Sequence, residues 1–242
     1  MEGHLDLGAL RYFFNAIKRL QLKLPFLAYV AGFSALLPFA IGFLRRKSLD
    51  EGLNWFCWLL FFDLAVSGGQ LILNFYKIKN LWLSHLFVLV QFSFVIGICA
   101  KLVETAVVRK LFLISIALFS ALWIISRFTF EPITVPTTYV TPIAKAILVA
   151  ISLYMISSIA QSSEQLSKEP RYWIVSGIVI SSAGSLLFYA FRGIIDKFGR
   201  DELLIAYSVH WAIDIVANII YSIGFLCRQP TPGSGGPLAS AQ

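Results

Sequence analysis

The stretch "LWLSHLFVLVQFSFVIGICAKL", residues 81–102, decides the fold class of this chain. It is almost entirely apolar, and its one lysine lies next to its end. A membrane-spanning helix needs about 20 predominantly apolar residues. The stretch is therefore long enough to cross a bilayer once, and its composition is typical of a transmembrane helix.

Similar apolar runs recur along the chain and are separated by short polar connections. No connection is long enough to hold a soluble domain. The sequence therefore predicts an all-α polytopic membrane protein, a seven-transmembrane-helix bundle over residues 24–227. Numbered as spans 1 to 7, the predicted helices cover residues 24–44, 53–76, 81–102, 109–127, 139–160, 172–192 and 203–227.

The composition agrees with this class. Of the 242 residues, 58% are hydrophobic and 14% are charged, and the mean hydropathy is +0.77. Ordinary soluble domains carry about 25% charged residues. The formal net charge of +7 is modest, and we expect the basic residues to anchor loops at a membrane. The expected partners are the lipid bilayer and a cytoplasmic or membrane partner subunit, and not nucleic acid.

The two ends of the chain differ from the spans. Residues 1–23 carry apolar side chains at helical spacing, with basic residues elsewhere on the wheel. This pattern predicts an amphipathic helix that lies on the membrane surface. Residues 228–242 are rich in Pro, Gly and Ser, and we expect them to be a disordered tail.

Seven spans place the two ends of the bundle on opposite sides of the membrane. We call the side on which span 1 begins side A and the opposite side side B. Lys and Arg are nearly balanced between the two sides, but without residues 1–23 side B carries more of them. Arg45, Arg46 and Lys47 directly follow span 1 there. The positive-inside rule then predicts a cell (inner) membrane protein with its N-terminus outside and its C-terminus in the cytoplasm.

Polar residues inside the spans are the best pointers to function, because an ionisable side chain in hydrocarbon costs about 2.5–3.5 kcal/mol on insertion scales. In span 7, His210, Asp214 and Asn218 are spaced four residues apart and therefore form one stripe along the helix. In span 2, Asp63 and Gln70 lie on one face. These faces would each present polar groups to the interior of the bundle.

Depth along the helices brings these residues together in one half of the bundle. At 1.5 Å per residue, His85, Lys145, Gln70 and His210 lie about 7–11 Å below side A, while the two aspartates lie near the midplane. We therefore predict a ligand-binding cavity that opens toward side A. Its predicted lining residues are His85, His210, Asp214, Asp63, Gln70, Asn218 and Lys145.

A structural alternative exists for each of these residues. Interhelical hydrogen bonds in membrane bundles contribute about 0.6 kcal/mol each, and Gln70 and Asn218 fit that role well. Lys145 could serve as the salt-bridge partner of Asp214 or extend toward the interface. The carboxyls of Asp63 and Asp214 fit this alternative less well, because a carboxylate in lipid must be paired or protonated.

Two segments resemble proteins of one bacterial group. "KNLWLSHLFVLVQFSFV" in span 3 and "VHWAIDIVANIIYSIGFLC" in span 7 are similar to segments of uncharacterised seven-helix membrane proteins of the Bacteroidetes kind. The resemblance covers about a fifth of the chain. It implies an inner-membrane protein and transfers no catalytic residue.

A looser resemblance concerns metal chemistry. The His-x-x-x-Asp of span 7 and the Asp-x-x-x-Ser of span 2 distantly resemble the ceramidase and adiponectin-receptor group. That resemblance implies a zinc site with His85, His210 and Asp214 as ligands and Asp63 as a fourth. The chain departs from the pattern of that group at most positions, since its last span has His-x-x-x-Asp in place of His-x-x-x-His.

These features favour one function and leave two alternatives. The favoured function is a receptor-like or sensory protein that binds a small ligand and signals through a partner. This function favours a protein without enzymatic activity over an enzyme, and the sequence does not identify a cofactor. The first alternative is a proton-coupled transporter in which Asp63 and Asp214 carry protons. The second is a metal-dependent intramembrane lipid hydrolase.

Overall fold

The computed structural model describes residues 24–103, 105–162, 165–195 and 197–227. These ranges form helices joined by short connections and contain no strand. Seven helical segments are long and apolar enough to cross a membrane. The chain is therefore an all-α, seven-helix integral membrane protein, as the sequence predicts. The amphipathic helix expected in residues 1–23 and the tail expected in residues 228–242 lie outside the described residues.

The helices reproduce the predicted spans with small shifts at their ends. Span 7, for example, begins three residues before the predicted boundary, and acidic residues in its first turn complement the helix dipole. Span 1 consists of two helices, whereas each later span is one helix. The bounds are Leu24–Ser34 and Leu36–Arg45 for span 1, and Glu51–Phe75, Leu81–Leu102, Ala106–Thr129, Val140–Ser162, Pro170–Ile195 and Arg200–Leu226 for spans 2 to 7.

Pro38 accounts for the break in span 1. Proline has no backbone N–H, so the carbonyl of Ser34 loses its helical partner, and the proline ring crowds that carbonyl. The first helix accordingly ends at Ser34, and the second begins at Leu36. The Ser34 hydroxyl instead takes part in a contact with span 7, where the side-chain amide of Asn218 donates to it over 2.8 Å.

Six of the spans form a ring. Span 1 packs against span 7, followed in order by spans 6, 5, 3 and 2, and the second helix of span 1 closes the ring against span 2. Span 4 lies outside this ring and packs mainly against span 3. The rings of Phe92 and Phe119 contact each other there, with centroids 4.1 Å apart. Span 4 is therefore a peripheral helix.

Spans 6 and 7 approach each other closely because glycines face the partner helix. A Cβ atom on Gly184 would lie 2.6 Å from the side chain of Ile213, and one on Gly177 would overlap the ring of Tyr221. Small residues allow transmembrane helices to pack at short distance. Spans 6 and 7 form one of the two most extensive helix–helix interfaces in the bundle, and spans 5 and 6 form the other.

The half of the ring toward side B is filled with apolar side chains. Phe56 of span 2 packs its ring against that of Tyr221, with centroids 4.8 Å apart, and against Phe225. Leu53 and Ile174 are also fully buried in this half. The packed layer has no counterpart toward side A, where the ring encloses a cavity.

Candidate functional site

A cavity of about 610 Å³ occupies the side-A half of the ring. Spans 1, 2, 3, 5, 6 and 7 contribute its walls, and no lining residue comes from span 4. The structure brings every predicted site residue except His85 to this cavity. The predicted site residues among its lining are Asp63, Gln70, Lys145, His210, Asp214 and Asn218.

His210 and Asp214 lie one turn apart on the cavity wall of span 7. The Nε2 atom of His210 is 3.6 Å from a carboxyl oxygen of Asp214. The imidazole stacks on the ring of Phe188, with centroids 5.0 Å apart and planes 4° from parallel. Within the described residues, its Nδ1 atom is buried and has no hydrogen-bond partner. Buried polar atoms are nearly always bonded, so this nitrogen is an exception in the packing of span 7.

Asp63 stands on the opposite wall, in span 2. Among the residues that the structure describes, its carboxyl makes no hydrogen bond and no ion pair, although it is only half-buried and borders the cavity. A carboxyl at membrane depth needs a charge partner, a proton or water. Asp63 lines the cavity, so a group bound in the cavity could supply such a partner.

Lys145 is buried on the cavity wall of span 5. Its ammonium donates a hydrogen bond of 2.7 Å to the side-chain oxygen of Gln91 in span 3. It interacts electrostatically with Asp63 and Asp214 without bonding directly to either. The direct salt bridge with Asp214 that the sequence left open is therefore not formed. Gln91, which sequence reasoning did not assign to the site, fixes the lysine instead.

Gln70 and Asn218 both line the cavity and join helices. The Gln70 amide donates to the Ser84 hydroxyl over 2.8 Å, which links spans 2 and 3. Asn218 links span 7 to Ser34 of span 1. Both residues therefore act as interhelical hydrogen-bonding groups, the structural role weighed for them from the sequence, and they hold the cavity walls in place.

Span 6 adds a row of hydroxyl groups that sequence reasoning missed. The run "SSAGS", residues 181–185, was the available signal. The hydroxyls of Ser181 and Tyr221 lie 3.1 Å apart at the cavity, and Thr141 contributes a buried hydroxyl that has no partner within the described residues. These groups extend the polar surface from span 7 to spans 5 and 6.

His85 belongs to a different cluster. Its Nε2 atom donates to the carbonyl of Val135 over 2.7 Å, and its Nδ1 atom accepts from Arg127. Arg127 in turn pairs with the Glu131 carboxyl at 2.8 Å. Both ring nitrogens are thus used within the protein, and His85 does not line the cavity. We therefore leave His85 out of the candidate site.

The same placement bears on the zinc site implied by the looser resemblance. Within the described parts of the chain, no three His, Cys, Asp or Glu side chains are grouped closely enough to hold a metal ion. His85 is bonded to Arg127 and lies apart from His210 and Asp214. The residues named for a zinc site therefore do not fit one in this structure.

No family model, curated protein or solved structure matches this chain. The similarity of spans 3 and 7 to bacterial seven-helix proteins stays a prediction. Function is accordingly inferred from the cavity and the groups that face it.

Proposed function

We propose that this integral membrane protein is a receptor-like protein that binds a small polar ligand in the side-A cavity. The observation that carries the proposal is the Asp63 carboxyl, which borders the cavity and has no hydrogen-bond or ion-pair partner among the described residues. Pockets for small ligands typically have volumes of about 300–1,000 Å³, with a few polar groups that fix the ligand. A cavity of about 610 Å³ with two carboxyls and an ammonium fits this description.

The helix-bonding alternative explains some of these residues and not others. The side-chain amides of Gln70 and Asn218 donate hydrogen bonds to neighbouring spans. Asp63 and the Nδ1 atom of His210 bond to nothing in the described chain. Since unpaired polar groups in a membrane interior are costly, groups that do not hold helices together are best explained by a ligand.

The packed layer beneath the cavity gives a route for a signal. Tyr221 lines the cavity and touches Phe56, which also packs on Phe225. Arg45 donates to the carbonyl of Phe225 and so ties the side-B end of span 1 to that of span 7. A ligand that presses on Tyr221 would shift these ends. The short connections favour passing the change to a partner subunit.

A proton-coupled transporter is the second candidate, favoured by the pair Asp63 and Asp214. Carboxyls within a membrane are the usual proton carriers of pumps and transporters. The packed side-B half would then represent one end state of alternating access. A receptor binds without moving its ligand across the membrane, so flux separates the two functions.

The test compares Asp63→Asn with Asp201→Asn, an exposed aspartate at the side-A end of span 7. Purified protein is screened by thermal unfolding against small amines, carboxylates and zwitterionic amino acids. We expect a compound that stabilises the wild type and Asp201→Asn but not Asp63→Asn, with no flux in liposomes. Equal stabilisation of Asp63→Asn contradicts the site, whereas proton-linked flux that Asp214→Asn abolishes supports the transporter.

A further inference from the structure

The ring is open on its side-A half between spans 1 and 2. The first helix of span 1 packs on span 7 and only slightly on span 2, whereas the second helix packs on both. The hydrogen bonds of these two spans join them to other helices. Ser34 of span 1 bonds to span 7, and Gln70 of span 2 bonds to span 3. Within the described residues, no hydrogen bond or ion pair joins 26–34 to span 2.

Residues at this opening face the cavity and the outer surface at once. Tyr29, Phe33 and Leu71 are 52%, 59% and 44% exposed, yet all three line the cavity. Gly32 and Gly68 also line it, and a Cβ atom on either glycine would meet nothing within 4 Å. These exposed lining residues and the glycines without neighbours, together with the slight packing of the first helix of span 1 on span 2, place an interruption of the cavity wall here.

The opening lies at the depth of the bilayer. Its residues fall inside the candidate spans Phe26–Ser48 and Glu51–Leu73, so lipid surrounds its outer rim. The rim is aromatic and aliphatic, while the carboxyl-bearing Asp63, which lies deeper along span 2 than Gly68 and Leu71, also lines the cavity. An apolar chain fits the rim, and a polar head fits the interior. This arrangement is complementary to an amphiphile that enters from the membrane.

The charges of the cavity select the head group. Among the described residues of the lining, Asp63 and Asp214 provide two carboxyls, and the ammonium of Lys145 already donates to Gln91. The carboxyl of Asp63 makes no hydrogen bond and no ion pair within the described residues. A protonated amine could donate to this carboxyl and form a charge-assisted hydrogen bond with it.

We infer that the cavity takes an amphiphilic amine, which reaches Asp63 from the bilayer through the opening between spans 1 and 2. The inference rests on the proposed function, since it names the ligand class and the route for that same site. A soluble amine that entered from the aqueous phase on side A would share the head-group chemistry. The route therefore has to be tested separately from the charge.

The first experiment tests the ligand class with protein in nanodiscs and radiolabelled dodecylamine, and empty nanodiscs give the background. We expect saturable binding that Asp63→Asn weakens about tenfold or more, because a desolvated charge partner is lost. Asp201→Asn should bind as the wild type does. Unlabelled n-butylamine should compete at least about a hundredfold more weakly, because it buries fewer methylene groups, and dodecanoate should not compete. If dodecanoate competes more strongly than unlabelled dodecylamine does, the amine class is overturned.

The second experiment tests the route with Gly68→Phe, which fills the opening. We expect association of dodecylamine to slow about tenfold, with no change in Gly193→Phe, an exposed span 6 glycine that also lacks neighbours within 4 Å. Should Gly68→Phe fail to fold, Gly68→Leu provides a smaller obstruction.

Equal binding of n-butylamine and dodecylamine, with no effect at Gly68, overturns lateral access while the ligand site survives. Binding of none of the three probes overturns the amphiphilic amine, and the proposed function then depends on the wider compound screen. Only a screen in which no compound separates the wild type from Asp63→Asn removes the site itself.

Discussion

Glu131 lies at the side-A ends of spans 4 and 5, where its carboxylate accepts hydrogen bonds from the backbone N–H groups of residues 138–140. These groups belong to the start of the span 5 helix, which has no intrahelical partners for them. The negative charge also complements the positive end of the helix dipole. Through Arg127, the same carboxylate reaches the ring of His85. One acid thus joins spans 3, 4 and 5.

Replacing this acid should destabilise the bundle. Glu131→Ala leaves the Arg127 guanidinium buried without its partner, and breaking a buried pair costs about 3–5 kcal/mol. We expect a clear loss of thermal stability in detergent. The matched change Glu51→Ala removes the carboxylate that pairs with Lys101. The Glu51 side chain is 70% exposed, so its loss should have little effect on stability. Equal melting temperatures for the two variants would contradict the structural role of Glu131.

Span 3 shows what a single residue's position in the sequence does not reveal. Ser84 and His85 are neighbours at the same depth, but successive residues point about 100° apart around a helix. Ser84 lines the cavity and bonds to Gln70, whereas His85 faces span 4. Depth and residue type were readable from the sequence. The rotation of span 3 within the ring depends on packing with other spans, and the sequence of one helix does not specify it.

Among the elements, the close packing of spans 6 and 7 depends on glycines, which have no side chain, at their interface. Gly177→Ala places a methyl group against the Tyr221 ring, which already packs on Phe56. Overpacking of this kind costs about 1–3 kcal/mol, so we expect lower thermal stability. Gly193→Ala adds the same methyl where no atom lies within 4 Å and should be tolerated. A Gly177→Ala protein as stable as Gly193→Ala would show that spans 6 and 7 separate at little cost.

Hydropathy predicts the existence of the elements well and their interruptions less well. Every predicted span has a helical counterpart because each long apolar run has to satisfy its backbone hydrogen bonds internally. Hydropathy nevertheless predicts span 1 as one segment, because Pro38 does not interrupt its apolar run. The interruption of the hydrogen-bond ladder at Ala35, whose backbone angles stay helical, follows from the missing N–H of Pro38, and an average of hydropathy does not register it.

At the scale of the whole molecule, the arrangement of the spans is the part that the sequence leaves open. All seven spans have similar length and apolar character, yet six form the ring and span 4 stands outside it. Lipid solvates an outer helix face as well as another helix does, so composition gives little guidance about position. The cavity and its opening between spans 1 and 2 arise from this arrangement.

The orientation of the molecule is testable with reporter fusions. Because Arg45, Arg46 and Lys47 follow span 1 on side B, we expect side B to face the cytoplasm. A green fluorescent protein fused after Cys227 should fluoresce, and alkaline phosphatase inserted in the connection at residues 77–80 should be active. The opposite pattern for both reporters would show that the N-terminal side is cytoplasmic and that the cavity opens inward.

The packing of span 1 against span 7 also determines when the cavity first closes. A ribosome makes span 1 before spans 2 to 7, yet both helices of span 1 pack against span 7 in the finished ring. During synthesis span 1 therefore stays in the membrane without this partner until span 7 is made. Chains halted before span 7 lack His210, Asp214 and the Asn218 bond to Ser34, so the ring and its cavity form only when the last of these spans is inserted.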